Sequence, residues 1–151
     1  MGFSVRVADP RNKFSASHFL FEHNKCSRLH GHNYHVNVDV SGPLTGDYFV
    51  VDFYELKHKL KHILSNLDHV VLLPGKSPNI QIIKENEQVK VRFNQKYYEF
   101  PAADVRILDL PATTAELLAK YIHDQLKEHF PHFGIVVEVG ESVGSIGRYQ
   151  A

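Results

Sequence analysis

The chain has a single cysteine among its 151 residues, so it forms no internal disulfide. That fits a reducing cytoplasm and a thiol kept for its chemistry rather than for cross-linking. Net charge is equally lacking. Seventeen basic side chains balance 17 acidic ones, which removes any electrostatic reason to expect nucleic acid or an anionic membrane as partner. No apolar run approaches the ~18 residues of a bilayer-spanning helix. The N-terminus shows no signal-peptide-like stretch, and Met1-Gly2 is not a myristoylation signal because Arg6 stands where Ser or Thr is required. Internal repeats and low-complexity linkers are missing too. At 151 residues the chain reads as one domain, 1–151, large enough to bury a core.

Histidine, by contrast, is plentiful at 11 copies, and spacing decides what they do. Phe14, Ala16, His18 and Leu20 share one parity, as do His32, Tyr34, Val36, Val38 and Val40. Both runs read as strands, paired as a hairpin across the loop Phe21–Leu29. Asp52 starts a first helix through Phe53, Leu56, Leu60, Ile63, Leu64 and Leu67, with Glu55 completing a capping-box-like pair. Its lysines and His58 and His62 fall mostly on a solvated side. Ile80–Ile82, Val89–Phe93 and Tyr97–Phe100 read as short strands turned at Asn86-Glu87 and Asn94-Gln95, a small β excursion. A second helix begins at Thr113 or Thr114 and stops before Pro131, Val136–Val139 form a closing strand, and a glycine-rich tail runs from Gly140 to Gly147. This order of elements argues for an α+β fold.

The chemistry concentrates at Cys26-Ser27-Arg28-Leu29-His30-Gly31-His32. His30 and His32 are two apart, so in an extended segment their rings share a face. His18 points the same way from the preceding strand. Three neutral imidazoles around one ion leave a position open, as a catalytic zinc site requires. Cys26 is either a fourth ligand or a thiol in a polar loop, where Lys25 and Arg28 favour its thiolate. Asp68-His69 is either a helix terminus or a general acid–base pair. Thr113-Thr114-Ala115-Glu116 reads as a capping box, with Glu116 reaching back to the Thr113 amide. Glu141 shares parity with Val137 and Val139, and an inward carboxylate without a local partner is explained by a ligand offering two N–H donors.

Together these pieces resemble the 6-pyruvoyl-tetrahydropterin synthase / 6-carboxy-tetrahydropterin synthase family. The resemblance rests on Phe14-Ser15-Ala16-Ser17-His18, Cys26-x-x-x-His30-Gly31-His32-Asn33-Tyr34, Val51-Asp52-Phe53, Leu67-Asp68-His69, Thr113–Glu116 and Glu141-Ser142. It implies the tunnelling fold, an antiparallel sheet with two helices on one face, here with a small β insertion near residues 78–101. It implies Zn2+ on His18, His30 and His32, and Cys26 as the base with Asp68 and His69 as proton-transfer partners. Glu141 would anchor a pterin, with Glu116 as a second substrate-binding residue. The substrate would be a pterin triphosphate, 7,8-dihydroneopterin triphosphate, and the assembly a cytoplasmic homohexamer built as a dimer of trimers with sites between subunits.

The three-residue interval between Cys26 and His30 resembles the carboxy branch, which releases acetaldehyde and triphosphate and feeds 7-deazaguanine (queuosine-type) synthesis. The pyruvoyl branch, with a longer interval, eliminates triphosphate and keeps the carbon skeleton. A folate-linked branch has Glu at the cysteine position, so Cys26 counts against it. Other readings are a non-catalytic zinc or pterin-binding module and a relative performing only retro-aldol cleavage, which needs no metal. Two features depart from the family pattern: the long excursion Pro74–Asp104, and Ser142 with a glycine-rich run where Thr is commoner.

Overall fold

The computed structural model describes residues 2–21 and 25–151. The middle of the loop expected over Phe21–Leu29, residues 22–24, lies outside the described residues. The described elements run β1 (Phe3–Val7), β2 (Lys13–His18), β3 (His30–Gly42), α1 (Phe53–Ser65), β4 (Val70–Pro74), β5 (Gln81–Glu85), β6 (Gln88–Phe93), β7 (Lys96–Pro101), β8 (Val105–Leu108), α2 (Ala115–His129), β9 (Gly134–Ser142) and β10 (Ser145–Gln150). Among these residues no helix is long and apolar enough to cross a membrane.

The main sheet has the order β10-β9-β3-β2-β4-β8, and β1 pairs with β3 beyond the end of β2. From β10 to β2 the pairing is antiparallel, whereas β4 joins β2 and β8 joins β4 in parallel. Parallel neighbours need a crossover of a dozen or so residues. That requirement explains the β excursion: β5, β6 and β7 form a separate three-stranded antiparallel sheet and are the crossover from β4 to β8. Its two turns fall at Asn86-Glu87 and Asn94-Gln95 as expected, with positive φ at Asn86, Glu87 and Asn94.

Alternation builds the core. Phe14, Ala16, Tyr34, Val36, Val38, Val137 and Val139 turn one face of the sheet toward Leu56, Leu60, Ile63 and Leu64 of α1 and Leu118, Ile122 and Leu126 of α2. Asp52 caps α1 by accepting from the Tyr54 amide at 2.9 Å. The opposite face of β4 and β8, through Val71, Leu73, Val105 and Ile107, packs with Phe19 against Val89, Val91 and Phe93 of the smaller sheet.

Four strands depart from the sequence reading. β1 lies ahead of the first strand expected. β4 and β8 were not expected because both their faces are covered, which removes the polar–apolar alternation that marks a strand. The supposed glycine-rich tail is the β9–β10 hairpin, with a register irregularity between Ser145 and Ile146. The first helix also ends earlier than its apolar period suggests, at Ser65 with Asn66 as cap, so Leu67–His69 form a turn.

Candidate functional site

His18 and His30 face each other as the last pair of the β2–β3 ladder, and His32 pairs with Ala16 two positions inward. All three rings therefore project from the core face, just beyond the stacked pair Phe14 and Tyr34. Their centroids lie 4.8 to 5.2 Å apart. Gly31 between them faces the Ala16 carbonyl oxygen, 3.2 Å from where a Cβ would sit, so any side chain would crowd β2. Among the described residues these histidines form the group that could hold a metal ion, with donor atoms within 4.8 Å of one another; Cys26 is not part of it.

The second partners of two of the rings are fixed. His18 is fully buried, and its Nδ1 donates to the Thr113 carbonyl at 2.9 Å. His30 Nδ1 donates to the Arg28 carbonyl at 2.6 Å. A carbonyl only accepts, so both Nδ1 atoms carry the proton. Burial pulls the His18 imidazole down to about 4, with smaller lowering from His30 and His32 that the Thr113 contact opposes. A neutral His18 therefore presents a lone pair at Nε2. That atom and His32 Nε2 are buried without a hydrogen-bond partner. Each looks at a Glu141 carboxylate oxygen, at 3.9 Å from His18 and 3.7 Å from His32. At His18 a lone pair facing a carboxylate repels it unless a cation lies between, so the donor set fits a metal ion. Protonated Nδ1 on backbone carbonyls is the outer arrangement that orients metal-binding imidazoles.

Glu141 has the inward parity expected, continuing Val137 and Val139 beside Tyr34. The Tyr34 hydroxyl is buried without a partner, and burial with the nearby Glu141 charge pushes its acidity far down. The capping box is displaced by one residue. Thr114 is the N-cap, accepting from the Leu117 amide at 3.3 Å, so Glu116 falls short of the capping-box position. Glu116 instead lines one open depression with Glu141, Leu20, Ser145 and Gly147. Thr113, which the sequence reading used only as a cap, supplies the acceptor for His18.

Cys26 sits in a single 3-10 turn, Lys25–Ser27, and is half-buried. The Leu20 amide donates to its carbonyl at 2.9 Å, closing the loop between β2 and β3.

Asp68 and His69 pair at 2.9 Å in the turn before β4, where His69 has a φ of 59°. The Ser15 amide donates to Asp68 at 2.8 Å and, with His69 beside it, holds the carboxyl below the usual carboxylate range. His69 is 81% exposed. It borders a shallow depression with Ser15, Ser17 and Asn33, whose parity is opposite to that of His18 and His32, and His32 itself contributes to the lining. Asp68 itself lines a different depression with Lys57, Lys61 and Leu64 of α1, and neither member of the pair joins the histidine group.

Residues 9–151 match the family described as 6-pyruvoyl tetrahydropterin synthase. A Methanocaldococcus jannaschii protein provisionally named 6-carboxy-5,6,7,8-tetrahydropterin synthase is 32% identical over 145 residues, covering 91% of this chain and 89% of that protein. The Aquifex aeolicus 6-carboxy-5,6,7,8-tetrahydropterin synthase is 32% identical over 117 residues, 77% of this chain and 65% of its own. The solved Plasmodium falciparum 6-pyruvoyl tetrahydropterin synthase superposes with a TM-score of 0.91 at 29% identity, covering 99% of this chain and 98% of that one. Sequence motif, sheet topology and histidine centre agree: the chain belongs to the 6-pyruvoyl tetrahydropterin synthase family.

Proposed function

We propose that the protein is a zinc-dependent lyase converting 7,8-dihydroneopterin triphosphate to 6-carboxy-5,6,7,8-tetrahydropterin, with loss of acetaldehyde and triphosphate. The observation that carries this reading is the histidine centre with only three residues between Cys26 and His30, in a chain whose curated relatives bear the carboxy name. His18, His30 and His32 would hold the ion. When bound, it supplies Lewis acidity for the hydroxyls of the substrate side chain.

The remaining work belongs to the chain's own groups. Glu141 and Glu116 line the depression next to the centre and would accept N–H donors from the pterin edge, a charge-assisted and bidentate type of contact. The Cys26 thiolate would remove a carbon-bound proton from the side chain. Asp68 and His69 would exchange protons with it from a neighbouring subunit, since His69 is largely exposed and neither residue joins the histidine group within one chain. A trimer, paired into a hexamer, provides such shared sites, and the site as a whole is that of a cytoplasmic enzyme acting in 7-deazaguanine synthesis.

A 6-pyruvoyl product is the second reading, favoured by the names of the solved relatives. A solved Plasmodium vivax relative is described by a catalytic glutamate, whereas this chain carries Cys26 within its motif. Mass spectrometry of products from zinc-loaded protein and 7,8-dihydroneopterin triphosphate decides between the branches. A 6-carboxy product with acetaldehyde is expected. A 6-pyruvoyl product replaces the first reading with the second, and no consumption by metal-loaded protein removes both.

A further inference from the structure

The small sheet β5–β7 has no part in the chemistry above, yet its tip reaches the loop that carries Cys26. The β6–β7 turn is two residues long, Asn94-Gln95, and Phe93 and Lys96 face each other across it as the closing pair. Cross-strand partners project from the same face of a sheet. The tip thus offers an aromatic ring and an ammonium side by side. Phe93, 4% exposed, stacks on Phe19 with centroids 5.6 Å apart and meets Phe21 edge-on at 5.1 Å. Tyr98 stacks on the same Phe19 at 5.4 Å. Lys96 Nζ donates to the Ser27 carbonyl at 2.7 Å.

Those contacts hold both legs of one loop. Phe19 and Phe21 lie on the leg leaving β2, and Ser27 lies on the leg entering β3, one residue after the thiol. The Leu20–Cys26 backbone hydrogen bond ties the legs to each other. A loop outside any sheet ladder is where a reactive group needs external support to keep its geometry. We propose that the β6–β7 tip is a clamp that positions the Cys26 thiol, with Lys96 as its positioning residue. This rests on the proposed function for the thiol's target, though not for the clamp itself.

The single cysteine makes the test direct, because alkylation by iodoacetamide reports on Cys26 alone. Lys96→Met keeps the length of the side chain and loses the donor. It is expected to change the alkylation rate about threefold or more, and to lower kcat about tenfold with KM nearly unchanged, because small displacements of a reacting group are costly. Zinc content and thermal midpoint should stay at wild-type values, and Lys96→Arg should restore both rates. A wild-type alkylation rate in Lys96→Met overturns the clamp, as does a wild-type kcat. If the wild-type protein itself fails to consume the pterin triphosphate, the functional reading falls, and the alkylation comparison alone decides the clamp.

Discussion

Gly147→Ala tests how closely the second helix and the last strand must approach. Gly147 lies on β10 against the start of α2 and is buried. A Cβ there would sit 2.6 Å from the Glu116 nitrogen, 2.7 Å from the Ala115 carbonyl carbon and 3.0 Å from the Ala115 Cβ. Two of these are backbone atoms, so no rotamer change relieves the clash. The strand or the helix end has to yield by about 0.8 Å at the closest contact, and overpacking of this kind costs roughly 1–3 kcal/mol. In a chain of this size each kcal/mol corresponds to about 2–4 °C, so the thermal midpoint should fall by roughly 2–12 °C. Gly144→Ala is the control, since nothing lies within 4 Å of its added Cβ. The helix start that would move follows directly on Thr113, the acceptor for His18, so metal affinity should also weaken, by about tenfold for a disturbed outer contact. Circular dichroism melts at matched concentration and a competitive chelator titration read the two effects. A Gly147→Ala midpoint equal to that of Gly144→Ala would refute the packing argument.

Further predictions concern the site. His30→Ala should lose stoichiometric metal by elemental analysis, and full retention would sink the histidine centre. Glu141→Gln should weaken pterin binding, read by fluorescence titration, while metal content holds; unchanged affinity would remove the anchor role. Cys26→Ala and His69→Ala are each expected to be inactive, yet subunits co-refolded from both should regain part of the activity, because an intact site can form between one of each. No recovery in verified mixed oligomers would place the pair elsewhere. Asp68 has its folded pKa below the ordinary value, so its stabilisation is present above that value and is lost as pH falls through the folded pKa. The midpoint difference between wild type and Asp68→Asn should therefore be largest near neutrality and narrow toward acid. A difference that does not change with pH would contradict the Ser15 contact.

Much of the centre was legible because β-strand parity is a strong rule. His18, His30 and His32 were assigned to one face from spacing alone, and the β2–β3 register places them there. Glu141 followed the same logic from Val137 and Val139. Glu116 was misread because two adjacent threonines both suit an N-cap; only the Leu117 amide shows that Thr114 has the role. β4 gave no alternating signal, since Val70 and Leu72 pack toward the helices while Val71 and Leu73 pack the other way. β1 carries only a short signal, the alternating Phe3, Val5 and Val7. The glycines of the last hairpin suggested a tail, whereas Gly147 is there because a helix end leaves no room for a side chain. Which side of the sheet Asp68 and His69 would take was beyond sequence, because a turn has no parity to extrapolate.

The two-faced strand β4 has a consequence for the lineage of this chain. Val71, Leu73, Val105 and Ile107 are covered largely because the crossover folded into a sheet of its own, with Phe19 filling in beside it. A relative whose crossover is too short to make that sheet would leave four apolar side chains in water, an aggregation-prone patch. Such a protein must therefore carry polar residues at the positions matching these four, or hide them against another subunit. The excursion and the four apolar positions should be inherited together, and in an uncharacterised genome sequence the apolar quartet alone would announce the extra sheet before any strand in it was recognised.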